Sequence, residues 1–227
     1  MIDDQNTQFA VITGASTGIG YELARQFAQH DFDLLVVADD EGIDAAANEL
    51  RREGVRADAF RADLATYDGV EALYRRIRKE GRPVDVLALN AGIGAVNPWI
   101  ESDLRAELNH VALNVKSVVH LSKRVLADMV ARNEGRILFT SSIAAELPAS
   151  LSAAYIASKA FVLSFAEAIQ NELKDTNIRV AAVQASGIEA AREGFSALMK
   201  EKDRVVAPRR AGPTDNIATV GYPRLMK

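Results

Sequence analysis

Cysteine is absent from this 227-residue chain, and histidine occurs only as His30, His110 and His120. Without thiols there is no disulfide framework and no thiolate metal site, and three scattered histidines argue against a zinc centre, so no metal is expected. Long apolar runs are missing as well. The N-terminal stretch M-I-D-D-Q-N-T-Q has no basic region leading into an apolar segment, and no run is long enough to span a bilayer. The expectation is a soluble, cytoplasmic chain with no membrane partner. Concentrated positive charge is the third absence: the net charge is -4 and Lys and Arg are scattered, which leaves no electrostatic footprint for nucleic acid. What the chain has is apolar residues, 48% of the total, enough for one sizeable core. One α/β domain over residues 1–227 fits better than two.

Short apolar strands alternate with helical periodicity. Phe9 to Thr13 runs into T-G-A-S-T-G-I-G, Thr13 to Gly20, and then into a helix ending near His30. Strand, glycine turn and helix N-terminus form an anion site. Gly14 allows the tight turn, while Gly18 and Gly20 let backbone amides and the helix approach a pyrophosphate. Asp31 is out of place, since a helix end that feeds a strand directly favours glycine in the left-handed position. The strand Asp33 to Val37 ends in Ala38-Asp39-Asp40, where a dinucleotide fold places the acid that reads the adenosine ribose. A carboxylate there repels a 2′-phosphate and favours NAD(H) over NADP(H), and Thr17 adds no basic residue to the turn. The alternative is a pair of solvated acids.

A helix over Gly42 to Gly54 and a strand near Ala57 to Arg61 follow, then Ala62-Asp63-Leu64. Asp63 meets an adenine amino group or caps the helix Tyr67 to Glu80, and its position alone favours neither. Val84 to Leu89 is a buried strand leading to Asn90-Ala91-Gly92, where Asn90 bridges strands and the two small residues clear space for a ribose. Helices are expected over Ser102 to Leu108 and Val111 to Arg132. Asn114 lies in the second of these, among Val111, Leu113, Val115 and Val118, so it needs partners: a water shared with Lys159, or a neighbouring loop. The strand Arg136 to Ser141 opens onto Ser142, and a helix from Ala153 to about Lys174 carries Tyr155 and Lys159 four residues apart on one face. An ammonium beside a phenol favours the phenolate and makes it a usable acid or base. Taken alone, Y-x-x-x-K reads more readily as a buried Tyr and a solvated Lys on an amphipathic helix.

Together, T-G-A-S-T-G-I-G, the acid after the second strand, L-N-A-G, Asn114, Ser142 and Y-I-A-S-K resemble the short-chain dehydrogenase/reductase family over about Phe9 to Gln184. The resemblance implies an α/β Rossmann fold, a doubly wound parallel sheet in the order 3-2-1-4-5-6-7 with helices on both faces. It implies a nicotinamide dinucleotide held by Gly14, Ser16, Gly18, Ile19, Gly20, Asp39, Asp63, Leu64, Asn90, Ala91, Gly92, Tyr155 and Lys159. Tyr155 would be the acid/base, Lys159 would tune it and hold the nicotinamide ribose, Ser142 would orient the substrate oxygen, and Asn114 would hold a relay water. The expected activity is interconversion of a secondary alcohol and a ketone. The expected partner is a small carbonyl or alcohol substrate bound near Ile93 to Trp99, Ala144 to Leu151 and Gln184 to Ala190. Relatives commonly pair through helices matching Val111 to Arg132 and Ala153 to Lys174, so a homodimer or homotetramer is expected.

The chain departs from the pattern at L-N-A-G, where N-N-A-G is usual, and more seriously after Gln184. The family continues with Pro-Gly, a threonine that meets the cofactor carboxamide, and a helical lid over the substrate. Here Ala185-Ser186-Gly187-Ile188-Glu189-Ala190 runs straight into A-R-E-G-F-S-A-L-M-K. The reading is that the lid is missing, that Val205 and Val206 supply a last strand, and that residues 207–227 are irregular. A binding protein without turnover, a sensor or scaffold, is the alternative function.

Overall fold

The structure is a computed structural model that describes residues 7–94, 98–146 and 152–200. Six strands form one parallel sheet: β1 (Phe9–Thr13), β2 (Asp33–Ala38), β3 (Ala57–Arg61), β4 (Val86–Leu89), β5 (Gly135–Ser142) and β6 (Ile178–Ala185), in the order β3-β2-β1-β4-β5-β6. This is the expected Rossmann order. The seventh strand at Val205 and Val206, and the tail 207–227, lie outside the described residues.

Seven α-helices connect them among the described residues: α1 (Gly18–Ala28), α2 (Gly42–Leu50), α3 (Tyr67–Lys79), α4 (Leu104–Val111), α5 (Ser117–Arg132), α6 (Ala153–Glu172) and α7 (Glu189–Met199). β1, β2 and β4 are buried at every residue, because helices cover both faces of the sheet and leave no strand face for water. Alternation along the strands divides the apolar residues into two cores. One packs Ala10, Ile12, Leu34, Val36 and Leu138 against α1, α2 and α7. The other packs Val11, Leu35, Leu87, Ile137 and Phe139 against α3, α5 and α6. In the first, Phe27 of α1 meets Phe32 and Phe195 edge-on, at 5.2 and 5.0 Å, tying α1 to α7. Each such fully buried aromatic or aliphatic side chain contributes about 1.5–3 kcal/mol.

Asp31 itself takes the left-handed conformation, φ 62°, where glycine was expected. Asp and Asn, whose short polar side chains can hydrogen-bond locally, enter that region more readily than other non-glycine residues. The expected break between Leu108 and Val111 does not occur, since neither glycine nor proline stands there. α4 continues through one π-helical turn, Ala112–Lys116, directly into α5. Asp63 does not cap α3. Thr66 is the cap, its hydroxyl accepting the Gly69 amide at 3.0 Å, while Asp63 accepts the Ala65 amide at 2.9 Å in the preceding turn. α7 begins at Glu189, four residues after β6 ends at Ala185. None of the described residues forms a helix long and apolar enough to cross a membrane.

Candidate active site

A cleft of about 500 Å³ opens at the carboxyl ends of β1, β2, β4 and β5. In a doubly wound sheet this is the crevice where the strand order reverses. One end of the cleft is made of backbone. Gly14 has φ 67°, and a Cβ there would stand 2.7 Å from the Ala91 Cα. A Cβ on Gly20 would stand 2.0 Å from the Gly14 carbonyl oxygen, so the first turn of α1 rests directly on the glycine turn. Gly18 differs, with open space around it and only its φ of 61° calling for glycine. The N-terminus of α1 has no side-chain cap and no acid in its first turn. Its amides therefore present uncompensated positive character to the cleft.

Thr13 and Asn90 lock this end. The Thr13 hydroxyl accepts the Asn90 and Ala91 amides at 3.0 and 3.1 Å and donates to the Ala88 carbonyl at 3.2 Å. The Asn90 side chain donates to the Thr13 and Gly14 carbonyls, both at 3.1 Å. β1 and β4 are thus stitched together beneath the cleft floor. At the rim, Asp40 accepts the Ser16 hydroxyl at 2.7 Å and the Gly42 amide at 2.8 Å, which fixes the turn to the end of β2. Asp39 lines the cleft and is exposed.

The other end is made of buried side chains. Lys159 is 7% exposed, and its ammonium donates to the Thr140 carbonyl at 2.9 Å. Burial with a single partner pushes its pKa down from 10.5 to about 8. The Ser141 hydroxyl donates to the Lys159 carbonyl at 2.7 Å, so β5 and α6 grip each other twice. The Lys159 ammonium stands 5.9 Å from the centre of the Tyr155 ring. Gly94 lies against that ring, since a Cβ there would be 3.2 Å from it.

Asn114, 2% exposed, sits in the π turn. Its amide accepts the Ile93 N–H at 2.9 Å and donates to the Ile93 carbonyl at 2.8 Å and the Ser158 hydroxyl at 3.0 Å. Ser158 in turn donates to the Tyr155 carbonyl at 2.6 Å. The loop is one of the two partners left open by the sequence, and Asn114 ties it to the helix that carries Tyr155. Asn114 Oδ1 and Lys159 Nζ both stand 3.2 Å from where a Gly92 Cβ would be, facing the same small space.

Among the residues singled out from sequence, Gly14, Ser16, Ile19, Gly20, Asp39, Leu64, Asn90, Ala91, Gly92, Tyr155 and Lys159 line the cleft. Gly18, Asp63, Asn114 and Ser142 are not part of its lining. The Ser142 hydroxyl accepts the Ala144 amide at 3.2 Å and donates to the Ala185 carbonyl at 3.4 Å. Thr13, Thr140, Ser141 and Ser158 were passed over. A strand-end or pre-lysine hydroxyl carries no pattern of its own, although Ser158 is inside Y-I-A-S-K and was there to be asked about. Of the expected substrate region, residues 95–97 and 147–151 lie outside the described residues. Ile93, Trp99, Ile143 and Ile188 are apolar and exposed around it, and Gln184 donates to Glu146 at 2.8 Å across it.

A dinucleotide-sized cleft, an uncapped helix N-terminus at one end and a Tyr-Lys pair at the other define a class, and the comparisons agree with it. Residues 8–199 match the short chain dehydrogenase family, and the chain belongs to that family. It is 34% identical over 176 residues to the oxidoreductase UcpA of Escherichia coli K12, a match covering 77% of this chain and 66% of that relative. Among solved structures, it resembles a metagenomic short-chain oxidoreductase in complex with NADP, with a TM-score of 0.81 and 27% identity, covering 87% of this chain and 94% of that one. It also resembles the bulky-bulky ketone specific alcohol dehydrogenase of Comamonas testosteroni, with a TM-score of 0.75 and 31% identity, covering 79% and 72% respectively.

Proposed function

We propose that the chain is an NAD(H)-dependent oxidoreductase that interconverts a secondary alcohol and a ketone. The observation that carries this reading is one cleft holding both an uncapped α1 N-terminus and, beyond it, Tyr155 with a buried Lys159. The cleft fits a dinucleotide: Gly14 and Gly20 let the turn and the uncapped start of α1 pack together where a pyrophosphate would lie, and the small Ala91 and Gly92 line the part where a ribose would lie. When bound, the nicotinamide supplies the hydride donor or acceptor.

The residues of the chain manage the proton. Tyr155 delivers it to the carbonyl oxygen on reduction and withdraws it from the alcohol on oxidation. Lys159 places a positive charge beside the phenol and the nicotinamide ribose. Ser142 orients the substrate oxygen, and its 3.4 Å contact with Ala185 is long enough to be exchanged at little cost. Asn114 holds the Ile93 loop and has one acceptor position left for a relay water. The exposed Ile93, Trp99 and Ile188 favour an apolar carbonyl substrate of modest size.

NAD(H) is favoured by Asp39, whose carboxylate repels a 2′-phosphate. Lys159 is the one cation among the described lining residues, and it belongs to the far end of the cleft. Arg61 lies beside Asp39, but its guanidinium is engaged by the Asp39 carbonyl at 2.8 Å and by Glu41 at 3.2 Å. A homo-oligomer is supported by the apolar surface that α4 and α6 leave open at Leu104, Leu108, Val111 and Phe161.

The second reading is dinucleotide binding without turnover, favoured by the short passage from Ala185 to Glu189 where a lid would stand. Titration with NADH and NADPH, followed by assays on a panel of ketones and alcohols, separates the readings. Roughly two- to fivefold tighter NADH binding with turnover is the expected outcome, the repulsion from one exposed charge being worth up to about 1 kcal/mol. Tighter NADPH binding overturns the NAD preference, and tight binding with no turnover on the whole panel replaces the first reading with the second. Gel filtration of the same sample checks the assembly, a clean monomer counting against it.

A further inference from the structure

Thr140 stands two residues before Ser142 on β5, so the two side chains leave the same face of the sheet. It is 5% exposed and lines the cleft, and its carbonyl is the one that receives the Lys159 ammonium. Its hydroxyl, out of water's reach, has no hydrogen-bond partner among the described residues. A buried hydroxyl is nearly always bonded, so this one calls for a reason. Its neighbours on the adjoining strands leave it unpaired. Across the ladder on β6 it faces Val183, and at the end of β4 the Asn90 side-chain nitrogen is already committed to two carbonyls. The cleft is the direction left. Thr140 lines the cleft, and a turn about its Cα–Cβ bond to another staggered well gives the oxygen a second position.

The family pattern implies a threonine after the sixth strand that meets the cofactor carboxamide. The residues between β6 and α7 are Ser186, Gly187 and Ile188, with no threonine among them. We propose that Thr140 takes over this contact, its hydroxyl bonding the carboxamide of a bound nicotinamide dinucleotide. A hydroxyl donates and accepts, and so does an amide, so the two are matched in chemistry. The inference rests on the dinucleotide reading above.

The test is Thr140→Val, which keeps the shape and removes the hydroxyl, in the full chain. The wild type and the variant are titrated with the tighter-binding of NADH and NADPH, and with ADP-ribose, which lacks the nicotinamide. The variant is expected to bind the dinucleotide roughly five- to tenfold more weakly, the loss of one neutral hydrogen bond, and ADP-ribose equally well. Its unliganded melting temperature should equal or exceed that of the wild type, and Thr140→Ser should restore dinucleotide affinity. Unchanged dinucleotide affinity, or an equal loss for both ligands, overturns the proposal. A wild type that binds neither ligand overturns the dinucleotide reading and this inference with it.

Discussion

At the β1 turn the cleft is shaped by what glycine leaves out, whereas at β5 and α6 it is shaped by polar side chains pressed into the core. Gly14, Gly20 and the Thr13–Asn90 stitching make a rigid backbone surface held by hydrogen bonds within the chain. Lys159, Asn114 and Thr140 are buried groups whose satisfaction is partial or depends on a second segment of chain. On the proposed function, the first arrangement recognises a ligand by shape, and its internal bonds add to stability. The second holds reactive groups in place at a cost to stability, as active sites commonly do. Binding and chemistry should therefore be separable by mutation.

The sharpest separation is Tyr155→Phe. Removing the phenol oxygen should cut turnover roughly 100- to 10,000-fold, the usual range for an acid/base group, and leave dinucleotide affinity nearly unchanged. Steady-state rates and a binding titration read the two effects, and equal losses in both would erase the distinction between the ends of the cleft.

Next in size is Gly20→Ala. Its Cβ would sit 2.0 Å from a backbone oxygen that has nowhere to go. Urea denaturation should show a loss of about 3 kcal/mol or more. Gly18→Ala, with open space around it, should lose only the roughly 1–2 kcal/mol of a left-handed residue. Similar losses at both positions would mean that the close approach of α1 to the turn is not what Gly20 is for.

Lys159→Met should work in the opposite direction. A lysine whose folded pKa is about 8 against an ordinary 10.5 binds fewer protons in the folded state than in the unfolded state between those values. Stability of the wild type therefore rises with pH across that window, by on the order of 3 kcal/mol. Below pH 8 the buried charge is a burden. The methionine variant should be more stable than the wild type at pH 7, by roughly 2 kcal/mol after the orphaned Thr140 carbonyl is counted, and should lose that advantage by pH 10.5. Urea denaturation at the two pH values checks this, and a variant less stable at pH 7 would show the ammonium to be better compensated than its single hydrogen bond indicates.

The backbone end of the cleft was the more legible in the sequence. T-G-A-S-T-G-I-G names its own conformations, because glycine takes a positive φ without strain and alone admits a 2.0 Å approach; a parallel sheet follows from alternating apolar strands and helical periods, and its strand order from the family resemblance. Tyr155 and Lys159 were legible through their spacing on one helix face only in the company of the other motifs. What hid was the support around them. Ser158 to Asn114 and Ser141 to Lys159 are pairings across 44 and 18 residues, and a hydroxyl in a strand or helix gives no periodic sign of its partner. Asp63 stayed open in the sequence for a related reason: Asp, Ser and Thr all cap helices, and in Asp63-Leu64-Ala65-Thr66 the last of them has the geometry.

The π turn at Ala112–Lys116 carries a consequence of another kind. A π turn admits one residue more than the α-helical repeat, which shifts the phase of everything beyond it by roughly 100°. Upstream of it, α4 is set so that His110 faces inward. Downstream, α5 is set so that Leu121, Val125 and Met129 meet the sheet. Deleting one residue between 112 and 116 would restore a regular helix while turning one of those faces to water. At this point the chain stores information in its count of residues as well as in their chemistry, so a one-residue deletion there should do more damage than any single substitution among the same five.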